Sequence, residues 1–141
     1  MSVTLFNFLT PKAQTFYLDH KSTIRQVLEK LDSHKFSVVP LVDEDGKFIS
    51  TISEGDILRY IKNKNKFNLE VAEKESIANI EKYRPYEPFE INMDIKKLFK
   101  LSLEQNFVPV VDDRGIYIGI VKRKSIIKYL YSNKEIDLSE D

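Results

Sequence analysis

The chain has 141 residues, 42% of them hydrophobic, with 22 basic and 22 acidic side chains and no cysteine. Zero formal net charge argues against general binding to nucleic acid or a membrane surface, and the lack of cysteine excludes disulfides, thiolate metal sites and cysteine nucleophiles. No apolar run approaches ~18 residues and the start shows neither a basic flank nor a small-residue cleavage site, so a soluble cytoplasmic protein is expected.

In chain order, residues 3–9 predict a short helical turn, and Thr15 to Leu18 an extended piece. Thr23 is placed to cap a helix whose apolar positions Ile24, Val27, Leu28 and Leu31 follow the i, i+3, i+4, i+7 stripe. A buried strand from Phe36 to Val42 comes next, then the turn Asp43-Glu44-Asp45-Gly46, in which glycine supplies positive φ. A returning strand, Phe48 to Ile52, leads into a helix with Ile57, Leu58 and Ile61 toward the core. The lysine-rich stretch 62–76 reads as solvated connecting chain.

The same order then recurs. Ser76 to Lys82 predicts a turn and Pro88 to Ile91 an extended piece, and Asp94 caps a helix with Ile95, Leu98 and Phe99 as its stripe. A strand from Phe107 to Val111, the turn Asp112-Asp113-Arg114-Gly115, a strand from Tyr117 to Val121 and a helix carrying Ile126, Ile127 and Leu130 complete it. Between residues 37–61 and 106–130 the offset is a constant 69: Pro40 falls on Pro109, Asp43 on Asp112, Gly46 on Gly115 and Tyr60 on Tyr129. Two copies at so long a period are not a solenoid. They predict an α+β fold of two β-α-β-β-α lobes about a pseudo-twofold axis. Each lobe alone buries little surface, so a shared core is expected. The first repeat is set at residues 1–65, a connector at 66–76, the second repeat at 77–132, and a short acidic tail, expected to fray, at 133–141.

The pattern hydrophobic-Pro-hydrophobic-Val-Asp, turn, Gly, strand, then a polar residue three before an Asp that opens a helix, resembles the CBS domain. The entry stretch FLTPKAQTFYLDHKSTI is similar to that family's as well, and the resemblance runs from about residue 5 to 131. It implies a stand-alone pair of CBS repeats forming one Bateman module, without an attached enzyme. It further implies an adenosine-type ligand in clefts between the repeats: AMP, ADP, ATP, S-adenosylmethionine or cyclic di-AMP, with no metal. On the first copy, Ser50 is the small residue that admits the ligand to the strand, Ser53 offers a hydroxyl, and the amides near Gly55 suit a phosphate. Asp56 would accept the ribose hydroxyls. The adenine would lie against the Arg84-to-Phe89 stretch, which includes Tyr86, and the strand entry near Gln105 to Phe107.

Each of these residues has a plainer reading. Ser-x-x-Asp at a helix start is also a helix cap. In the second copy Lys122 replaces the hydroxyl and Ser125 the carboxylate, so an ordinary nucleoside site there is in doubt. The run Lys122-Arg123-Lys124 at a helix N-terminus calls either for a phosphate, with Arg123 the better cleft candidate by alternation, or for a solvated face. Tyr83, Tyr86 and Phe89 either line an adenine pocket or pack between lobes. His20 and His34 lack zinc partners, and Asp43, Glu44 and Asp45 lack the rest of a calcium set.

Three functions compete: a ligand-sensing regulatory module, a structural or interaction protein with vestigial sites, and an enzyme, for which no nucleophile–base pair or metal set is present. The resemblance also implies a homodimer through the exposed faces of helices 54–62 and 123–131, with Tyr60 and Tyr129 in the interface, and a downstream protein partner.

Overall fold

The computed structural model describes residues 4–34, 37–64 and 68–132. In chain order its elements are β1 (Leu9–Pro11), β2 (Leu18–Asp19), α1 (Ile24–His34), β3 (Val38–Val42), β4 (Phe48–Ser53), α2 (Glu54–Lys64), α3 (Leu69–Lys74), β5 (Phe89–Glu90), α4 (Ile95–Glu104), β6 (Phe107–Val111), β7 (Tyr117–Lys122) and α5 (Arg123–Ser132). The β-α-β-β-α order thus occurs twice, at β2 to α2 and at β5 to α5. The chain divides into two units: Phe16–Tyr86, and the described residues of Met1–Thr15 together with those of Glu87–Asp141.

In the Phe16–Tyr86 unit, β2 runs parallel to β3 and β3 antiparallel to β4. Helix α1 begins on a reciprocal cap: Gln26 N–H donates to Thr23 Oγ1 at 3.2 Å and Thr23 N–H to Gln26 Oε1 at 2.9 Å. In the hairpin, Asp43 Oδ1 accepts from the N–H groups of Asp45 and Lys47, and Gly46 takes φ 83°. The acidic turn is therefore a backbone device, and among the described residues no His/Cys/Asp/Glu group could hold a metal ion. Ile24, Val27, Leu31, Val39, Leu41, Ile52, Ile57, Ala72, Ile77 and Ile80 form this unit's core.

The connecting stretch contains a helix that its polar composition conceals. Asn68 Oδ1 accepts from Val71 N–H at 2.9 Å to start α3, and Ala72 is buried in the core. Six residues with a single buried side chain leave too little periodicity to predict. Phe36, the expected start of β3, and the acidic tail lie outside the described residues.

In the other unit, β1, β7, β6 and β5 form one sheet in that order. β5 is parallel to β6, β6 antiparallel to β7, and β1 adds antiparallel to β7, with Leu9 opposite Val121 and Pro11 opposite Gly119. The hairpin repeats the first: Asp112 Oδ1 accepts from Arg114 and Ile116 N–H, and Gly115 takes φ 83°. Leu5, Phe8, Phe89, Leu98, Leu101, Val108, Val110, Val121 and Ile126 are its core, with the Phe8 ring edge-on to Phe99 at 5.9 Å and to Tyr129 at 5.1 Å.

Most of the buried apolar side chains fall into two clusters, one within each unit. The N-terminal segment contributes Leu5 and Phe8 to the second. Leu28, Leu58 and Ile127, counted toward the core by periodicity, are exposed. Tyr60 and Tyr129, counted toward a dimer face, pack partly against their own cores. Among the described residues no helix is long and apolar enough to cross a membrane.

Candidate functional site

The junction of β4 and α2 gathers the polar groups of interest. Ser53 ends the strand, and Asp56 stands in the first turn of the helix. Asp56 N–H donates to Ser53 Oγ at 3.1 Å, and Ser53 N–H donates to Asp56 Oδ2 at 2.9 Å. This is a capping box with aspartate in the usual place of glutamate, which satisfies two amide donors at the start of the helix.

The carboxylate is engaged beyond the cap. Its Oδ1 accepts from the backbone N–H of Tyr83 at 2.9 Å and lies 3.6 Å from Arg59 Nη1. Asp56 is only 4% exposed. Burying a carboxylate carries a large desolvation penalty unless donors and a cation compensate it, and here two amides and a guanidinium do. The Arg59 guanidinium in turn lies 4.0 Å from the centre of the Tyr83 ring, in cation–π geometry. Three residues on, Tyr86 N–H donates to the Oγ1 of buried Thr51 at 2.8 Å. Residues 83–86 are thereby strapped to β4 and α2 by two backbone N–H groups.

Lys82 leads into the strap. Its ammonium donates to the Ile77 carbonyl. Burial pushes its pKa below the ordinary lysine value of 10.5, partly countered by the Asp56 charge.

Ser50 is half-buried on β4, with its hydroxyl donating to the Thr51 carbonyl at 3.2 Å. Gly55 needs no glycine for packing: a Cβ there would meet Ser53 Oγ at 3.6 Å and Arg59 Nη1 at 3.9 Å, ordinary contacts. Ser50, Ser53, Gly55 and Asp56 therefore lie on one strand–helix junction, with Tyr86 on the strap beside it.

Phe107, Lys122, Arg123 and Ser125 belong to the other unit. Phe107 and Lys122 are register partners across β6 and β7, and the Lys122 side chain is exposed. Arg123 Nε donates to the Ser102 carbonyl at 2.7 Å and Nη2 to the Leu103 carbonyl at 3.4 Å. A guanidinium at the end of α4 meets its last unsatisfied carbonyls and the negative end of its dipole. That supplies the offset sought for a cation at the N-terminus of α5, without a phosphate. Ser125 is half-buried in the first turn of α5.

Sequence reasoning missed three participants in this junction. Arg59 was legible, since it lies one turn beyond Asp56 on the same helix face. Thr51 and the Tyr83 amide carried no signal, because one is a small buried residue in a strand and the other a backbone group. Gln105, expected at the strand entry of the other unit, is buried there. Its Oε1 accepts from Glu87 N–H at 2.8 Å, and its Nε2 donates to the carbonyls of Glu87 at 3.1 Å and Phe107 at 3.3 Å.

Comparison with known proteins gives a consistent result. The CBS domain family matches residues 10–63 and again residues 83–132. A CBS domain-containing protein of Dictyostelium discoideum is 25% identical over 137 residues, covering 92% of each chain. The crystal structure of CbpB in complex with c-di-AMP is 25% identical, with a TM-score of 0.84 over 94% of this chain and 87% of that one. CBSX2 of Arabidopsis thaliana, solved in complex with AMP, is 20% identical with a TM-score of 0.72, over 94% of this chain and 99% of that one; at that distance the likeness is one of fold.

Proposed function

The chain belongs to the CBS-domain family, and from that premise we propose that it is a regulatory module that binds an adenosine-containing nucleotide at the β4–α2 junction. The observation that carries this reading is the Ser53/Asp56 pair, a hydroxyl and a carboxylate fixed together at the start of a helix with Gly55 between them. The helix start favours a phosphate by its dipole and its amides. The carboxylate can take ribose hydroxyls. The likeness to CbpB bound to c-di-AMP supports an adenosyl ligand. Ser50 and Tyr86 would flank it. Of the residues in the other unit, Phe107, Lys122 and Ser125 remain candidate contacts. Arg123 is the weakest of the set, its guanidinium being held by the end of α4.

The module carries out no reaction in this reading. It acts by preferring one conformation when nucleotide is bound, which requires different affinities for two states. It works in the cytoplasm as a homodimer whose geometry a partner protein reads. A thermal-shift screen with AMP, ADP, ATP, S-adenosylmethionine, NAD and cyclic di-AMP tests it. Ligand at 100 times its dissociation constant adds about 2.7 kcal/mol. No shift at millimolar concentrations of any of the six, with the protein demonstrably folded, sinks the proposal.

One observation favours a second reading, that of an interaction module with a vestigial site: Asp56 is closed to solvent and both its oxygens already have donors. The same screen separates the two.

A further inference from the structure

We propose that the Tyr83–Tyr86 strap is a latch on the nucleotide site, and that the ribose of a bound nucleotide displaces the Tyr83 N–H from Asp56. The inference rests on the reading of Asp56 as the ribose acceptor. A vicinal diol held by a carboxylate uses both oxygens. In the structure Oδ2 takes the Ser53 N–H and Oδ1 takes the Tyr83 N–H, each at 2.9 Å, and the side chain is 4% exposed. A ribose cannot reach both oxygens of so enclosed a group unless one donor withdraws.

The two donors are not equally able to withdraw. The Ser53 amide belongs to the cap that starts α2, and its loss leaves a helix end unsatisfied. The Tyr83 contact spans 27 residues and comes from an exposed segment: Tyr83 is 59% exposed, and Arg84 and Pro85 are also at the surface. Once released, the Tyr83 N–H is met by water. Polar contacts hold the strap, among them the Tyr83 and Tyr86 amides on Asp56 and Thr51 and the Arg59 guanidinium against the Tyr83 ring. Arg59 is central to the latch, because it faces the Asp56 carboxylate and the Tyr83 ring at once. Nucleotide binding would thus be read out as freedom of residues 83–86, giving the module a surface segment whose order depends on the ligand.

Residue-resolved amide exchange, with and without saturating AMP, tests the latch. Without nucleotide, the Tyr83 amide is expected to exchange at least about tenfold more slowly than the Arg84 amide. With AMP, Tyr83 should lose about tenfold in protection while Ser53 keeps its own. If thermal shift shows AMP bound and Tyr83 stays as protected as before, the latch is wrong and the nucleotide reading stands. If neither AMP nor adenosine binds, the latch fails, and the nucleotide reading fails with it only when the other ligands of the thermal-shift screen are silent too. A second arm measures adenosine, whose lack of phosphate removes any direct attraction to Arg59. Arg59→Met, at a half-exposed position, should tighten adenosine binding by about fivefold, a loosened latch being easier to displace. Unchanged or weaker adenosine binding overturns the latch.

Discussion

Gly119 and Thr10 meet backbone to backbone, so closely that a Cβ on Gly119 would stand 2.2 Å from the Thr10 carbonyl oxygen. The glycine also sits at φ 152°, where side chains are strained. Its counterpart by the repeat is Ser50, so glycine at 119 answers to the added strand β1. Gly119→Ala should destabilise by about 3 kcal/mol or more in urea unfolding, because the obstacle is backbone rather than a flexible side chain. Gly115→Ala, with positive φ but nothing within 4 Å, should lose only about 1 kcal/mol. Equal losses would contradict the close approach.

Gln105 holds three backbone groups from a buried position. Gln105→Leu preserves much of the volume and removes all three hydrogen bonds, at a loss of about 2–4 kcal/mol. Chemical denaturation reads the loss. A change under 0.5 kcal/mol would mean that water replaces the amide.

Asp56 is a structural residue as well as a candidate ligand. Asp56→Asn puts an amide donor against one of two N–H donors and removes the charge that faces Arg59. It should lose about 2–3 kcal/mol and also abolish the nucleotide-induced thermal shift. Asp56→Ala should lose at least as much stability. A stable Asn variant that still responds fully to AMP would remove Asp56 from the site.

Lys82 makes stability depend on alkaline pH. Its folded pKa lies below 10.5, so between the two values the unfolded chain binds more protons and stability rises with pH. Tyr60 acts oppositely: partial burial, aided by Glu75, raises its pKa above 10.0, so stability falls as pH climbs through that range. In a Tyr60→Phe background, Lys82→Met should therefore lose the upward slope just below pH 10.5. An unchanged slope would show that Lys82 titrates as an exposed lysine.

Arg123→Ala should lose about 1 kcal/mol through the end of α4, and Arg123→Lys should recover part of it. Neither change should alter the AMP shift. Loss of nucleotide response in both variants, with the fold intact, would return Arg123 to the binding site.

Local signals carried most of the fold. Thr23 with Gln26, and Asp43 with Gly46, specify a cap and a turn within four residues of themselves, and both form. β1 could not be read this way. It is three residues long, ends in proline, and pairs with a strand about 110 residues downstream. The site divides along a similar line. Ser53 and Asp56 announce themselves by residue type. The Tyr83 amide that closes Asp56 and the α4 carbonyls that hold Arg123 are main-chain groups, which every residue carries and no sequence pattern marks.

The placement of β1 also sets an order of assembly. Phe16–Tyr86 is continuous and can complete itself as the chain emerges from the ribosome. Leu9–Pro11 is made first but must wait for Gly119 and Val121. At ordinary elongation rates that delay is roughly 5 to 20 s. Throughout it, a strand with an unmatched edge and the side chains of Leu5 and Phe8 remain without their eventual neighbours. A segment made ahead of the Phe16–Tyr86 unit is thus buried only after it, and the nascent chain is open to misassociation there.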